Sequence, residues 1–137
     1  MAHKYILDTH ALVWFLEGNS RLGNQAKIVM SDPDSLLVLP LIAVAEASFW
    51  IEKKRIGIPS VENLFENIYA DNRIEIIPLT WEIFERSLTT EGLKIPELHD
   101  RFIVSTGLYL QDLGDTAVII TRDHAITDAD VLPVVWD

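Results

Sequence analysis

Short apolar runs alternate with longer helix-forming segments along the whole chain, and this alternation restricts the possible folds more than any other feature. Strands separated by helices pair in parallel. Apolar runs without intervening polar residues are typical of a sheet that helices cover on both faces. The pattern therefore predicts an α/β protein, a three-layer α/β/α sandwich around a central parallel sheet of four to five strands.

Strands and helices can be placed from the hydrophobic period and from boundary residues. The predicted strands are residues 5–7, 36–39, 74–77 and 117–121, with a short last strand at 134–136. The predicted helices are residues 9–17, 24–31, 41–55, 61–70, a helix after Thr80, and 97–110. Gly18 is expected to end the first helix, and Ser60 and Thr80 are expected N-caps. The chain has no repeat and no linker, and its 137 residues predict a single domain at 1–137.

Composition excludes several classes of protein. Hydrophobic residues make up 49% of the chain, which supplies a core and argues against overall disorder. Cysteine is absent, so neither a disulfide framework nor a thiolate metal site is possible. The apolar runs are too short to cross a bilayer, and the stretch before Asp8 is too short for the core of a signal peptide. We therefore expect a soluble, cytoplasmic protein with no membrane association.

The net charge of −10 bears on the choice of partner, because nucleic-acid binding usually depends on Lys and Arg. One interpretation is a substrate other than nucleic acid. The other is that part of the charge belongs to a metal site, which reverses the local field when a cation binds. The four acids considered below would account for only part of the charge. An acidic surface also suits a basic protein partner.

Two aspartates follow predicted strands. Asp8 comes directly after residues 5–7, and Asp123 comes two residues after the run that ends at Thr121. The carboxyl ends of parallel strands lie at one edge of a sheet, so both carboxylates should project at that edge. Taken alone, Asp8 could be a helix N-cap and Asp123 a turn residue, since Asp is favoured in both places.

Two further acids lie within predicted helices. Asp100 shares a helix face with apolar residues such as Ile103, and a carboxylate beside an apolar stripe is costly without a partner. Pairing with Arg101 is the ordinary alternative. Glu46 is the only charged residue in a long apolar stretch, where the alternative is a solvated helix face shared with Lys53.

Together these acids predict a metal centre. Carboxylate oxygens from several residues suit Mg²⁺ or Mn²⁺, whereas the same charges repel one another without a cation. A divalent ion in such a cluster can activate a water and stabilise the leaving oxygen of a phosphodiester, so no nucleophilic side chain is needed. The predicted metal ligands and catalytic residues are Asp8, Glu46, Asp100 and Asp123.

In this order, the acids and their neighbours resemble the motifs of the PIN-domain nucleases, and most closely those of the VapC-type toxins of toxin–antitoxin pairs. The matching strings are Ile6-Leu7-Asp8-Thr9-His10-Ala11-Leu12-Val13-Trp14, the helix of Glu46 followed by Arg55-Ile56-Gly57, Asp100-Arg101-Phe102-Ile103-Val104, and Thr121-Arg122-Asp123. The resemblance covers nearly the whole chain and is specific as a set. It implies a PIN-like fold with the four acids at its metal site.

Supporting residues adjoin the four acids. The resemblance implies that Thr9 and Thr121 are the hydroxyl neighbours of the first and last acids. Many relatives carry an Asp-Pro-Phe-Asp-like string where this chain has Glu97-Leu98-His99-Asp100, so Glu97 would take the accessory acidic place. Arg101 and Arg122 adjoin proposed ligands, and could neutralise the cluster when it is empty or hold substrate phosphate.

The resemblance implies an endoribonuclease that depends on Mg²⁺ or Mn²⁺, forms a homodimer and is inhibited by a cognate antitoxin. The residues themselves do not choose RNA over DNA. Two other hypotheses stay open: a non-toxin nuclease of the same fold, in RNA processing or on DNA, and a catalytically weak binding module. Retention of all four acids argues against the binding module. Aromatic residues near the first two acids, such as Trp14 and Trp50, are expected in packing, with base stacking as the less favoured role.

Overall fold

A sheet of five parallel strands forms the central layer of the fold. In the computed structural model, which describes residues 3–137, the strands are β1 (His3–Leu7), β2 (Leu36–Pro40), β3 (Ile74–Ile77), β4 (Thr116–Ile120) and β5 (Val134–Val135). Their order across the sheet is β3-β2-β1-β4-β5, and every neighbouring pair is parallel. The predicted parallel sheet is confirmed, with β1 as its middle strand.

Helices flank this sheet. Within residues 3–137 they are α1 (Thr9–Glu17), α2 (Asn24–Ser31), α3 (Leu41–Glu52), α4 (Val61–Ala70), α5 (Trp81–Ser87), α6 (Leu98–Asp112) and α7 (His124–Ala129), with a short 3₁₀ helix at Gly92–Lys94. The predicted α/β/α sandwich is confirmed. None of the helices in this range has both the length and the apolar character that a membrane crossing needs. Met1 and Ala2, which belong to the predicted domain and to the N-terminus predicted to lack a signal peptide, lie outside the described residues.

Several helix ends form as their boundary residues predict. Gly18 follows α1 with a φ of 63°, a left-handed conformation that glycine adopts without a Cβ clash. Ser60 accepts a hydrogen bond from the backbone N–H of Asn63 at 3.0 Å, and Thr80 accepts one from Ile83 at 3.2 Å. These caps satisfy amides that the first turn of a helix leaves without partners.

The third helix is shorter than the sequence predicts. It ends at Glu52 rather than at residue 55, because Lys54 adopts a left-handed backbone with a φ of 56°. The charged ends of Lys53 and Arg55 lie 5.3 and 5.9 Å from the centre of the Phe49 ring. The cations of this segment therefore pack on an exposed aromatic ring just beyond the helix.

Two short helical elements are not predicted by the sequence pattern: the 3₁₀ helix and α7. The six residues of α7 give too few repeats for a helical period to be recognised. The start of α6 also differs by one residue from the prediction. Glu97 lies outside the helix and caps it, because its carboxylate accepts hydrogen bonds from the amides of His99 and Asp100.

The order of the strands sets the position of the crevice in the sheet. The chain runs from β1 to β2 on one side of the sheet and from β4 to β5 on the other, so the connections that leave the carboxyl ends of the neighbouring strands β1 and β4 go in opposite directions. Ligands of open parallel sheets bind at such a switch point. Helix α6 packs closely on β1 because Gly107 has no side chain: an added Cβ would lie 2.6 Å from Leu132 Cδ1 and 3.4 Å from Ile6 Cδ1. This packing fixes the helix of Asp100 against the strand that precedes Asp8.

The last residues of the chain pack against the start of α2. The backbone N–H of Ala26 donates to the carbonyl of Trp136 at 2.9 Å. The Trp136 ring lies 6.0 Å from the ring of Trp14 in α1. Gly23 permits this approach, because an added Cβ would overlap the Trp136 carbonyl oxygen.

Candidate active site

One cleft at the carboxyl edge of the sheet is lined by all four of the predicted acids. It has a volume of about 560 Å³. Its walls include Asp8, Glu46, Asp100 and Asp123. Thr9, Glu97 and Arg122, which the sequence predicts as supporting residues, line it as well. Residues distant in sequence thus meet where the switch point of the sheet lies.

Asp8 is the most buried of these acids, with 6% of its surface exposed. It follows β1 directly and caps α1, since its Oδ1 accepts a hydrogen bond from the N–H of Ala11 at 2.8 Å. The pKa of Asp8 is raised to about 6, mainly by burial and to a smaller extent by the charges of Asp123 and Glu46. Hydrogen bonds from Thr121 and Ala11 work in the opposite direction. A carboxylate held in this way gains from a nearby cation.

Asp123 lies beside Asp8 because their strands are neighbours in register. Leu7 of β1 pairs with Ile120 of β4, and the N–H of Asp8 donates to the carbonyl of Ile120 at 3.3 Å. Asp123 caps α7 by accepting a hydrogen bond from Ala125 at 2.8 Å. The predicted hydroxyl neighbour Thr121 accepts a hydrogen bond from the N–H of Asp123 at 3.0 Å and also bonds to the Asp8 side chain. Thr121 therefore links the side chain of Asp8 to the backbone of Asp123.

Asp100 lies in the first turn of α6 and faces Asp123 across the cleft. Burial raises the pKa of Asp100 to about 8, and a side-chain hydrogen bond with Asp123 contributes next. Two carboxyl groups can form such a bond only when one of them carries a proton. The charges of Asp123, Glu97 and Asp8 are the remaining causes of this raised value. In the absence of a cation, these acids therefore retain a proton at pH values where an isolated Asp is ionised.

Glu46 enters the cleft from α3. Thr9 donates its hydroxyl hydrogen to Glu46 Oε1, which links α1 to α3. On the other side, His99 Nδ1 lies 3.4 Å from Glu46 Oε2 and 3.0 Å from Glu97 Oε1. His99 is half exposed at the rim of the cleft. Thr9 and His99 together restrict the orientation of the Glu46 carboxylate.

The two predicted arginines have different surroundings. Arg122 lines the cleft, and its guanidinium lies 4.9 Å from the centre of the Trp14 ring. Arg101 points elsewhere, because its Nε donates to the carbonyl of Ile95 at 2.8 Å. Arg101 and Thr121 are the two predicted supporting residues that do not line the cleft. Arg122 is thus placed to meet an anion that enters.

Three more residues line the cleft wall although they are not among the predicted site residues: His10, Trp50 and His124. For Trp50 the sequence favours packing over base stacking. Each lies close in sequence to a predicted acid, since Trp50 stands one helical turn after Glu46 on α3, and the histidines adjoin the motifs of Asp8 and Asp123. The position of Trp50 beside the cleft could be predicted from its spacing to Glu46, because residues four apart share a helix face. Burial and the charge of Arg122 lower the pKa of His10.

The chemistry of these donors fits a hard divalent cation. Within residues 3–137, no three Asp, Glu or His side chains already stand close enough together to hold a metal ion. Three of the acids instead turn an oxygen towards helix amides, as the caps formed by Asp8, Glu97 and Asp123 show. All the same, the donors are carboxylate oxygens, and the charges of neighbouring acids raise the pKa values of Asp8 and Asp100, as charges without a counterion do. Mg²⁺ and Mn²⁺ prefer such oxygen ligands.

The fold and the cleft together define a class of α/β proteins with an acidic site at the switch point of a parallel sheet. Within that class, the chain belongs to the PIN domain family, which matches residues 5–132. Membership of this family implies nuclease activity. The predicted resemblance to PIN-domain nucleases is therefore confirmed.

Solved structures share the fold. A toxin–antitoxin complex from Klebsiella pneumoniae contains a chain with 21% identity and a TM-score of 0.66, and the match covers 98% of this chain and 96% of that one. The VapBC2 complex from Rickettsia felis, solved bound to a DNA fragment from its promoter, gives 18% identity, a TM-score of 0.68 and coverage of 98% and 99%. A comparison with curated proteins gives no match.

Proposed function

We propose that this protein is a metal-dependent endoribonuclease that hydrolyses RNA phosphodiester bonds in the cytoplasm, as the toxin of a type II toxin–antitoxin module. The observation that carries the proposal is the meeting of Asp8, Glu46, Asp100 and Asp123 around one cleft of a PIN domain. The similarity in fold to toxin–antitoxin complexes supports the role as a toxin.

In this proposal, Asp8, Asp100 and Asp123 hold Mg²⁺ or Mn²⁺, with Glu46 completing the set of ligands. Such an ion, when bound, supplies charge neutralisation for the phosphodiester and activation of the attacking water. Asp8 is already fixed by its burial and its cap to α1. The pKa of Asp100 is raised to about 8, so its proton must leave when the cation binds.

Other residues of the chain would position the RNA. The N-termini of α1 and α6 both face the cleft through their capping residues Asp8 and Glu97, and helix N-termini favour anions. Arg122 adds a positive charge on the cleft wall. Thr9 holds the Glu46 carboxylate in place through its hydroxyl. These contacts let an acidic protein accept a phosphate backbone at one local site.

Cleavage of RNA with and without divalent metal is the direct test. We expect the parent to cut single-stranded RNA with Mg²⁺ or Mn²⁺ and not with a chelator present. Asp8→Asn and Asp100→Asn should lose about a hundredfold or more of the rate, because each removes a charge that holds the cation. Glu66→Gln, on the exposed face of α4, is the matched control and should cut like the parent. Equal cleavage by the parent and both Asn variants would assign the activity to a contaminant.

The second candidate function is a nuclease of the same fold that acts on DNA or in RNA processing. The acid cleft is compatible with it, since carboxylates that hold a cation do not distinguish ribose from deoxyribose. A DNA strand of the same sequence, tested beside the RNA, separates the two functions. Faster cleavage of the DNA would favour the second candidate. Binding without cleavage of either strand would favour the catalytically weak binding module.

An antitoxin partner is the next part of the proposal. The chain carries a net charge of −10, which suits a basic partner. An apolar groove of about 270 Å³ lies between α3 and α4, where Leu41, Phe65 and Tyr69 are exposed. Exposed Glu62 and Glu66 of α4 lie beside it, so a basic amphipathic helix fits both its shape and its charge.

Growth of bacteria that express the chain tests the role as a toxin. We expect growth to stop when the chain is expressed alone and to resume when the protein encoded next to it is expressed as well. The Asp100→Asn variant should not stop growth. Equal growth in all three cultures would argue against a toxin–antitoxin pair while leaving the nuclease assignment intact.

A homodimer is the last part of the proposal. Large apolar side chains are exposed on α5, the 3₁₀ helix and the start of α6, which contact one another. They are Trp81 (68% exposed), Leu88 (53%), Leu93 (53%) and Leu98 (54%). Apolar groups gathered in this way favour burial against a second copy. Light scattering at micromolar concentration should give the mass of two chains, and Trp81→Glu should reduce it to one.

A further inference from the structure

We infer that His10 and Trp50 form a base-stacking subsite in the wall of the acid cleft, which takes an unpaired nucleobase next to the phosphate that is cut. The inference deepens the proposed function and rests on it. It assigns contact with a base of the substrate to residues outside the acid set. Both residues line the cleft together with the acids.

Three rings form a continuous array at this place. The His10 ring lies 4.9 Å from the ring of Trp14 and 4.8 Å from that of Trp50, with tilted planes in both pairs. Trp14 is buried, with 6% of its surface exposed, and forms the inner end of the array. His10 is exposed and Trp50 is half-buried, so the outer end opens on the cleft.

The burial of the three rings distinguishes a binding wall from ordinary core packing. Trp14 behaves as a packing residue, because it is almost completely buried. The rings of His10 and Trp50 instead leave apolar ring surface in contact with solvent beside charged carboxylates. Aromatic faces exposed in a groove that binds a phosphate backbone are platforms for bases.

The two rings stand close along the chain to two of the acids and line the same cleft. His10 stands two residues after Asp8 on α1, and Trp50 stands one turn after Glu46 on α3. A base resting on the rings therefore brings its own phosphate towards the acids. Arg122, which lies over the Trp14 ring and lines the cleft, supplies the charge between them. In a duplex the bases are stacked inside the helix, so only an unpaired base can reach the rings.

Oligonucleotides with and without bases test the subsite directly. The probe is a short single-stranded RNA, compared with the same chain carrying abasic sites, and binding is measured in the Asp100→Asn background with Mg²⁺ to prevent cleavage. Because stacking on an aromatic ring contributes to affinity, Trp50→Leu or His10→Ala should weaken binding of the intact RNA. The expected loss is about tenfold, within a range of roughly 5- to 100-fold. The abasic RNA should bind these variants and the parent alike.

Two further variants separate stacking from folding. Trp50→Phe keeps a ring and should retain most of the affinity, and base binding should quench tryptophan fluorescence in the parent but less in this variant. Phe49→Leu changes the neighbouring exposed ring of α3, which does not line the cleft, and should leave binding unchanged. Equal binding of intact and abasic RNA to the parent overturns the subsite, and so does an equal loss in Phe49→Leu and Trp50→Leu.

Failure of the subsite proposal can be distinguished from failure of the proposed nuclease function. If the parent cuts RNA and Trp50→Leu cuts it with an unchanged KM, the nuclease assignment stands and the subsite is wrong. If the subsite is correct, the KM of Trp50→Leu should rise by about the same factor as its dissociation constant for RNA. The parent should then cut duplex RNA poorly. If the parent neither binds nor cuts any RNA, both proposals are wrong.

Discussion

Replacing Asp8 by Asn should stabilise the metal-free protein at neutral pH. The pKa of Asp8 lies at about 6, above its usual value of 3.8, mainly because the side chain is buried. Each pKa unit corresponds to about 1.4 kcal/mol, so ionised Asp8 lowers the free energy of unfolding by about 3 kcal/mol. Asn is neutral, has the same shape, and its oxygen can still accept the hydrogen bond from Ala11.

The amide group of Asn reduces this gain. It brings two N–H donors into a buried place where Asp8 was an acceptor. A donor without a well-placed acceptor there lowers the stability by about 1 kcal/mol. The net expectation is therefore a gain of about 2 kcal/mol, or about 6 °C in melting temperature for a chain of this size. Because the folded pKa is the raised one, the contribution of Asp8 to the stability of the parent is fully present below pH 3.8 and is lost as pH rises through about 6.

Thermal melts in a chelator, from about pH 4 to pH 8, measure this effect. At the acidic end Asp8→Asn should be no more stable than the parent, because only the cost of the amide remains there, and the gap in its favour should be largest above pH 7. Asp128→Asn, an identical change at an exposed position, should show no such pH-dependent gap. Adding Mg²⁺ should stabilise the parent and narrow the gap, because a cation that binds the folded state shifts the equilibrium towards it. A variant no more stable than the parent at pH 8 would refute the reasoning.

Three other changes have expected outcomes that follow from single contacts. Thr9→Val removes the hydroxyl that holds Glu46 and should lower kcat by about tenfold or more with little change in melting temperature, measured by RNA cleavage and by melts. Gly23→Ala should destabilise the protein by about 1–3 kcal/mol in chemical unfolding, because the new Cβ overlaps the Trp136 carbonyl. Ser60→Ala removes the cap of α4 and should cost about 1 kcal/mol in the same assay, whereas Ser60→Asp should restore most of it.

The sequence predicted the positions of Asp8 and Asp123 well because those positions follow from strand ends. Once β1 and β4 pair in parallel, both residues must lie at the same edge. Local caps such as Ser60 and Thr80 were predictable for a similar reason, since their hydrogen bonds join residues close in sequence. The position of Asp100 could be predicted only with the help of the family motif, because it depends on how α6 packs against the sheet.

Other features depend on contacts between distant segments, which the sequence does not display. Arg101 and Arg122 each adjoin a proposed ligand, yet only Arg122 faces the cleft, because Arg101 reaches the carbonyl of Ile95 instead. The end of α3 depends on the left-handed backbone at Lys54, a residue type for which that conformation is uncommon. The ring of His10 gains its place beside the acids only when α1 and α3 come together.

The caps formed by Asp8, Glu97 and Asp123 have a consequence for how this protein can lose its activity. An Asp codon becomes an Asn codon by a single base change, and that change keeps the cap while removing the charge. Variants that lose activity through such an amide should therefore accumulate in the cell as well as the parent or better. Alanine at the same positions removes a helix start along with the charge, so those mutants should be recovered at lower abundance.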